Sequence, residues 1–153
     1  TPAGGDWKVL MISGGIGITP MVSMIRGLKF THDHGLIQKC PDIILLHCER
    51  NLADVPFTDF FQQICHDPEL VVSAVHLIIT GDSSSQTLAS SLAQLVASTG
   101  TRLSTSLIQK LVPDVATRVC YLCGPHSFMA SLNDSLVSLK VARTHILMEN
   151  FEY

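Results

Sequence analysis

Two short segments hold residues whose types and spacing suit the binding of an anion and chemistry beside it. The first, Gly14-Gly15-Ile16-Gly17-Ile18-Thr19-Pro20, follows an apolar run and precedes a helical pattern. A parallel α/β sheet places its phosphate site at that junction. Gly15 and Gly17 let the backbone turn tightly and come close to a pyrophosphate. Thr19 can cap the helix, and Pro20 suits its first position, where the N–H is unpaired in any residue. A helix terminus adds about 0.3–1 kcal/mol per favourable charge, so this segment binds and does no chemistry. Glycines present for turn geometry alone are the competing reading, with about equal weight when the motif stands by itself. The second segment, Cys123-Gly124-Pro125, follows another apolar run and falls on the same rim, so Cys123 faces the same crevice.

The elements that must position these residues follow from the hydrophobic periodicity. Lys8 to Ser13 reads as the first strand, and Met21, Met24, Ile25 and Leu28 recur at helical spacing after the glycine turn. Ile43 to Leu46 is continuously apolar, as expected of a strand covered on both faces. A turn at Asp54-Val55-Pro56 leads to a helix holding Phe57, Phe60, Phe61 and Ile64, which Asp67-Pro68 ends. Val71 to Ile79 is the third strand; Gly81 to Ser85 is a polar loop; Leu88 to Val96 is helical; Ser104 caps a short helix to Leu111. Val119 to Leu122 is the fourth strand, a helix carries Phe128, Met129, Leu132 and Leu136, and Ile146 to Met148 is the last strand. This alternation predicts one α/β domain over residues 1–153. Its sheet is doubly wound, five-stranded and mostly parallel, of order 3-2-1-4-5, with helices on both faces.

Several other chemistries lack their partners. Cys120 and Cys123 form a Cys-x-x-Cys, but redox pairs of that kind open a helix, and here the first cysteine lies inside a strand. Their side chains are expected on opposite faces. His32-Asp33-His34 has no second pair of ligands, so no metal site is expected. His47, His66, His76, His126 and His145 are scattered, and those in apolar runs read as hydrogen-bonded core residues. No serine elbow, Walker motif or Tyr-x-x-x-Lys pair accompanies them. A usual dinucleotide fingerprint has glycine or alanine where Pro20 stands and an acid roughly twenty positions on, whereas the first candidate after a clear strand here is Glu49.

The two segments together resemble the ferredoxin reductase superfamily. Its nucleotide domains carry Gly-x-Gly-x-x-Pro after the first strand and Cys-Gly-Pro before an aromatic-Met pair after a late one. Tyr121 to Met129 is similar to flavohaemoglobin and cytochrome b5 reductase-type members, and Glu149-Asn150-Phe151 to their terminal Glu-x-aromatic. The likeness spans nearly the whole chain. It implies NAD(P)H as cofactor, with Gly15, Gly17, Thr19 and Pro20 at the pyrophosphate and Gly14 and Ile18 in the same segment. Cys123 and Gly124 would line the nicotinamide, Pro125 and Met129 belonging to that second segment, and Glu149 would position hydride transfer. Phe151 would lie near the flavin, with Tyr153 as its rival. Cys123 would be a small polarisable contact beside the nicotinamide and not a covalent nucleophile. Alone, the reading as a buried core thiol weighs roughly two to one; the neighbouring Gly124-Pro125 and the first segment reverse it.

The resemblance further implies hydride transfer to FAD on an upstream domain, then electrons passed to a haem or iron-sulfur acceptor. The flavin domain's Arg-x-Tyr-Ser/Thr motif is missing from this chain, and the start at Thr1 without Met reads as that of an excised piece. NADH is favoured over NADPH because Gly81-Asp82-Ser83-Ser84-Ser85 offers an acid and no base for a 2′-phosphate, although Arg50 could reach one. A nucleotide-sensing module without catalysis and a flavin-independent dehydrogenase are the rival readings. The composition is 46% apolar and 15% charged, which is too hydrophobic for disorder. A net charge of -3 without a basic cluster argues against nucleic acid, and the apolar runs are too short to span a membrane. Five cysteines, an odd number in mostly apolar settings, favour a reducing intracellular compartment.

Overall fold

Continuous apolar runs become central strands because both of their faces must be covered. The computed structural model describes residues 7–68, 72–81 and 90–150. Its strands are β1 (Lys8–Gly14), β2 (Asp42–Glu49), β3 (Val72–Ile79), β4 (Val96–Thr99), β5 (Val119–Gly124) and β6 (Ile146–Asn150). They form one parallel sheet of order β4-β3-β2-β1-β5-β6. The helices are α1 (Ile18–Asp33), α2 (Thr58–His66), α3 (Ser90–Ala93), α4 (Thr105–Leu111) and α5 (His126–Ser138).

Alternation along each strand sorts the core into two layers. Val9, Met11, Ile43, Leu45 and Leu77 meet α1 and α2 through Met21, Ile25, Phe60, Phe61 and Ile64. Leu10, Ile12, Leu46, Ile78 and Leu122 meet α4 and α5 through Ile108, Met129, Leu132 and Leu136. Cys120 and Cys123 fall in opposite layers, as expected for residues three apart on a strand. The connections through α1 and α2 cover one face and that through α5 the other, so the strand order reverses between β1 and β5.

The expected five strands keep their order, and a sixth joins them at the edge. Helix α3 stops at Ala93, and Val96–Thr99 pairs with β3 where the sequence suggests helix to Val96. β-Branched Val96 and Thr99 suit a strand, and four residues are too few for a periodic signal. Helix α1 opens one residue before Thr19, with Gly17 at its N-cap and no side-chain cap. Pro20 therefore sits third in the helix, still among the N–H positions that lack a partner within the helix. Phe57 precedes α2 in the left-handed conformation, φ 58°, instead of lying on its buried face. Ser104 caps α4 as expected, accepting from the Leu107 amide at 3.2 Å.

At the edge of the sheet where the strands begin, Arg118 ties β1, β2 and β5 together. Its guanidinium, almost fully buried, donates to Asp114 at 2.8 and 3.2 Å, to the Asp42 carboxylate at 3.0 Å and to the Val9 carbonyl at 3.0 Å. Lys8 adds a 2.9 Å ion pair to Asp114. This network fixes the start of the strands whose other ends carry the two segments of interest.

Candidate functional site

The two glycine-containing turns interlock at the carboxyl rim of the sheet. Gly15–Gly17 forms one 3-10 turn between β1 and α1. Gly15 is left-handed at φ +55°, with open space where a Cβ would stand, so backbone conformation selects glycine there. Gly17 is selected by contact instead. Its backbone is helical (φ −61°, ψ −9°), and an added Cβ would lie 2.2 Å from the Cys123 carbonyl oxygen. A Cβ on Gly124 would lie 2.7 Å from the Phe128 ring and 3.4 Å from the Gly14 amide nitrogen, and one on Gly14 would meet the same ring at 3.1 Å. Phe128 thus wedges against both glycines, and the N-termini of α1 and α5 open side by side with no acid in either first turn.

A cavity of about 330 Å³ opens at this reversal of strand order. Gly14 and Gly15 form one wall, with Cys48, Glu49 and Arg50 at the end of β2 and Thr80 beyond β3. Arg102 and Leu103 close it ahead of α4, and Pro125, Ser127, Phe128 and Ser131 supply the α5 side. Its size matches a small-molecule pocket, and its position is where open α/β sheets hold ligands. Two guanidiniums against one carboxylate suit a ligand carrying phosphates. A glycine cradle, two helix N-termini and these arginines therefore fit a dinucleotide.

Strand register sets one row of side chains across the sheet at the rim. Ser13 is opposite His47 on one side and Cys123 on the other, and Cys123 is opposite Glu149. The Ser13 hydroxyl is 2.9 Å from His47 Nδ1, and His47 Nε2 is 3.3 Å from a Glu49 carboxylate oxygen. His47 is 0% exposed, and burial lowers its pKa to about 4, opposed only in part by a hydrogen bond to the Ser13 backbone. The neutral ring therefore gives its Nε2 proton to the carboxylate, which can only accept, and Nδ1 accepts from Ser13. Burial raises the Glu49 pKa against the opposing Arg50 backbone N–H, with the Asp54 charge adding to the rise. The buried Cys123 thiol faces the α1 layer and is pushed up to about 11 by burial and then by the Glu149 charge. It is a thiol at neutral pH, which suits a packing contact and not a nucleophile.

The residues singled out from sequence divide among these features. Gly14, Gly15 and Pro125 line the cavity, while Gly17 and Gly124 seat one turn against the other. Thr19 is exposed and Pro20 half-buried in the first turn of α1. Ile18 and Met129 have buried side chains in opposite layers, so only their backbones reach the rim. Glu149 is exposed on β6; Phe151 and Tyr153 lie outside the described residues, as do Asp82 to Ser85. Thr80 and Arg102 carry no motif, and His47 reads as one more core histidine. Thr80 follows directly on the end of its strand, the position that lines a ligand crevice in such sheets. Among the described residues no His, Cys, Asp and Glu cluster could hold a metal, and no helix is long and apolar enough to cross a membrane.

Comparison with known proteins agrees with this geometry. Flavohemoprotein A of Dictyostelium discoideum is 27% identical over 99% of this chain and 34% of its own length. The glycine betaine monooxygenase reductase subunit of Chromohalobacter salexigens is 28% identical over 94% of this chain and 35% of its own. The chain thus spans about a third of the length of these curated relatives. A flavohemoglobin from Malassezia yamatoensis with bound FAD and heme shares the fold, with a TM-score of 0.67 at 20% identity over 96% of this chain and 32% of its own. The ferric reductase NAD binding domain family matches residues 7–143. Both interlocked turns and the cavity between them fall inside that span, and the chain belongs to this family of NAD-binding domains.

Proposed function

We propose that residues 1–153 are the NAD(P)H-binding domain of a flavin-dependent oxidoreductase, delivering hydride to FAD held by another domain of the same full-length protein. The observation that carries this reading is the contact between Gly17 and the Cys123 carbonyl, which joins the phosphate-cradling turn to the turn beside β6. The amides of the Gly15–Gly17 turn and the first turn of α1 hold the pyrophosphate. Cys123 and Gly124 flank the nicotinamide, and Glu149, opposite Cys123 in register, positions the transfer with Phe151 near the flavin. The relatives named as reductase subunit and flavohemoprotein support oxidoreductase chemistry, and the heme and FAD of the flavohemoglobin support a haem acceptor. Bound to its own domain, FAD would supply the capacity to take up hydride as an electron pair and release electrons onward. This chain's own residues bind, orient and exclude water.

Cys123→Ser in the full-length protein tests the assignment. Flavin reduction by NADH, followed in a single turnover, is expected to slow about tenfold, equivalent to about 1.4 kcal/mol of barrier. Cofactor affinity should change little, because Cys123 contributes contact and not charge. An unchanged single-turnover rate contradicts the role.

A further inference from the structure

Gly14 and Gly124 are glycine at positions where the backbone does not require it. Gly14 is extended, φ −123° and ψ 127°, and Gly124, at the end of β5, is not left-handed. Such conformations are open to any residue. What a side chain would meet first is the Phe128 ring. A Cβ on Gly14 would lie 3.1 Å from its Cε1 and Cζ, and one on Gly124 would lie 2.7 Å from Cδ1 and 3.1 Å from Cε1. One edge of the ring is therefore seated in a notch that the two turns form by carrying no side chains there. Phe128, in the first turn of α5, is only half-buried and also lines the cavity. Gly14 lines it too, whereas Cys123 and Gly124 lie outside its lining. The ring thus marks the boundary between the cavity and the second turn. At about 330 Å³ the cavity is at the low end of ligand pockets, which run from about 300 to 1,000 Å³, so it suits one half of a dinucleotide.

We infer that Phe128 is a positioning residue for hydride transfer: its ring, seated between the two turns, sets where the nicotinamide half stands at Cys123 relative to the adenosine half in the cavity. The inference rests on the reading of this rim as an NAD(P)H site. Met129, Leu132 and Leu136 supply the buried face of α5, and Phe128 only borders it, so packing of that helix does not depend on the ring alone. A phenyl ring offers an apolar surface and no hydrogen bond, and it fixes position without adding charge to the binding. Position decides the rate here, since a misplacement of about 1 Å can cost about 10²-fold. Both glycines serve the same end by letting the ring sit down between the turns.

Two measurements on the full-length protein test this: single-turnover flavin reduction at saturating NADH, and the dissociation constant of ADP by calorimetry. ADP carries the adenosine and both phosphates and stops short of the nicotinamide. Phe128→Ala should slow reduction about tenfold, while the ADP constant changes by less than about twofold. Phe128→Leu keeps most of the apolar volume and should slow reduction only about threefold. It is also the variant to measure should Phe128→Ala fail to fold. A ring that merely packs α5 against the sheet would move the rate and the ADP constant together. If ADP binds and NADH reduces the flavin, but the variants react at the wild-type rate or lose ADP affinity in step with rate, the inference is overturned while the site reading stands. If the wild-type protein binds no ADP, or NADH does not reduce its flavin, the site reading fails and the inference falls with it.

Discussion

Replacing Gly17 with alanine separates packing from backbone propensity by the sign of its effect. Gly17 has helical torsions, φ −61° and ψ −9°, so propensity alone favours alanine by about 0.4–1 kcal/mol through the unfolded chain. The structure opposes it. The new Cβ would lie 2.2 Å from the Cys123 carbonyl oxygen and 2.5 Å from its carbon, more than 1 Å inside ordinary contact, and both atoms are backbone. Relief requires α1 and the end of β5 to part, and overpacking of this kind costs about 1–3 kcal/mol. The upper end is expected because no flexible side chain can yield, for a net loss of about 2 kcal/mol. Gly27→Ala supplies the control. It lies on the same helix, exposed, with nothing within 4 Å of its Cβ position, and should gain about 0.5–1 kcal/mol. Urea unfolding followed by circular dichroism gives both numbers from midpoints at a common slope. Gly17→Ala should also weaken NADH binding. If it were as stabilising as Gly27→Ala, the two turns would not be in contact and the account of the site would fail.

Two further outcomes follow from buried polar groups. His47 has its pKa depressed to about 4 in the folded chain, so below about 6.5 the unfolded chain takes up a proton that the native state refuses. Stability should therefore fall by about 3 kcal/mol between pH 6.5 and 4, and His47→Gln should flatten that profile; equal slopes would refute the burial argument. Arg118→Met leaves Asp42 and Asp114 without their guanidinium and should cost about 3–5 kcal/mol, measured by the same urea unfolding. The Asp114 carboxyl, held down at about 2 first by its Arg118 hydrogen bond, contributes only about 1 kcal/mol of this after solvent screening. That part is present above pH 4 and is lost as the pH falls toward 2, which Asp114→Asn should abolish.

The central strands were legible because β1, β2 and β5 are buried on both faces and so read as unbroken apolar runs. β4 was not. It is a four-residue edge strand, and its alternating half-buried and exposed positions follow too closely on α3 for either period to develop. Local motifs also revealed the two turns, because a left-handed Gly15 and a strand-to-helix Gly124-Pro125 leave a mark on sequence. The reason Gly17 is glycine left none, since it depends on a carbonyl more than a hundred positions away. His47 likewise looks like an ordinary core histidine until register sets it beside Ser13, and Glu49 gains its place from the strand end and not from spacing to the glycines. The left-handed Phe57 shows the limit of periodicity from the other side. Its spacing continues the helical stripe, yet the chain turns there before α2 begins.

The central claim is that two turns grip one cofactor, and amide chemical shifts of the isotopically labelled chain during titration with NAD+ test it most directly. Amides from Gly15 to Thr19 and from Gly124 to Phe128 should move together, saturate, and yield a single dissociation constant. Shifts confined to one turn, or two sets with different constants, would contradict it.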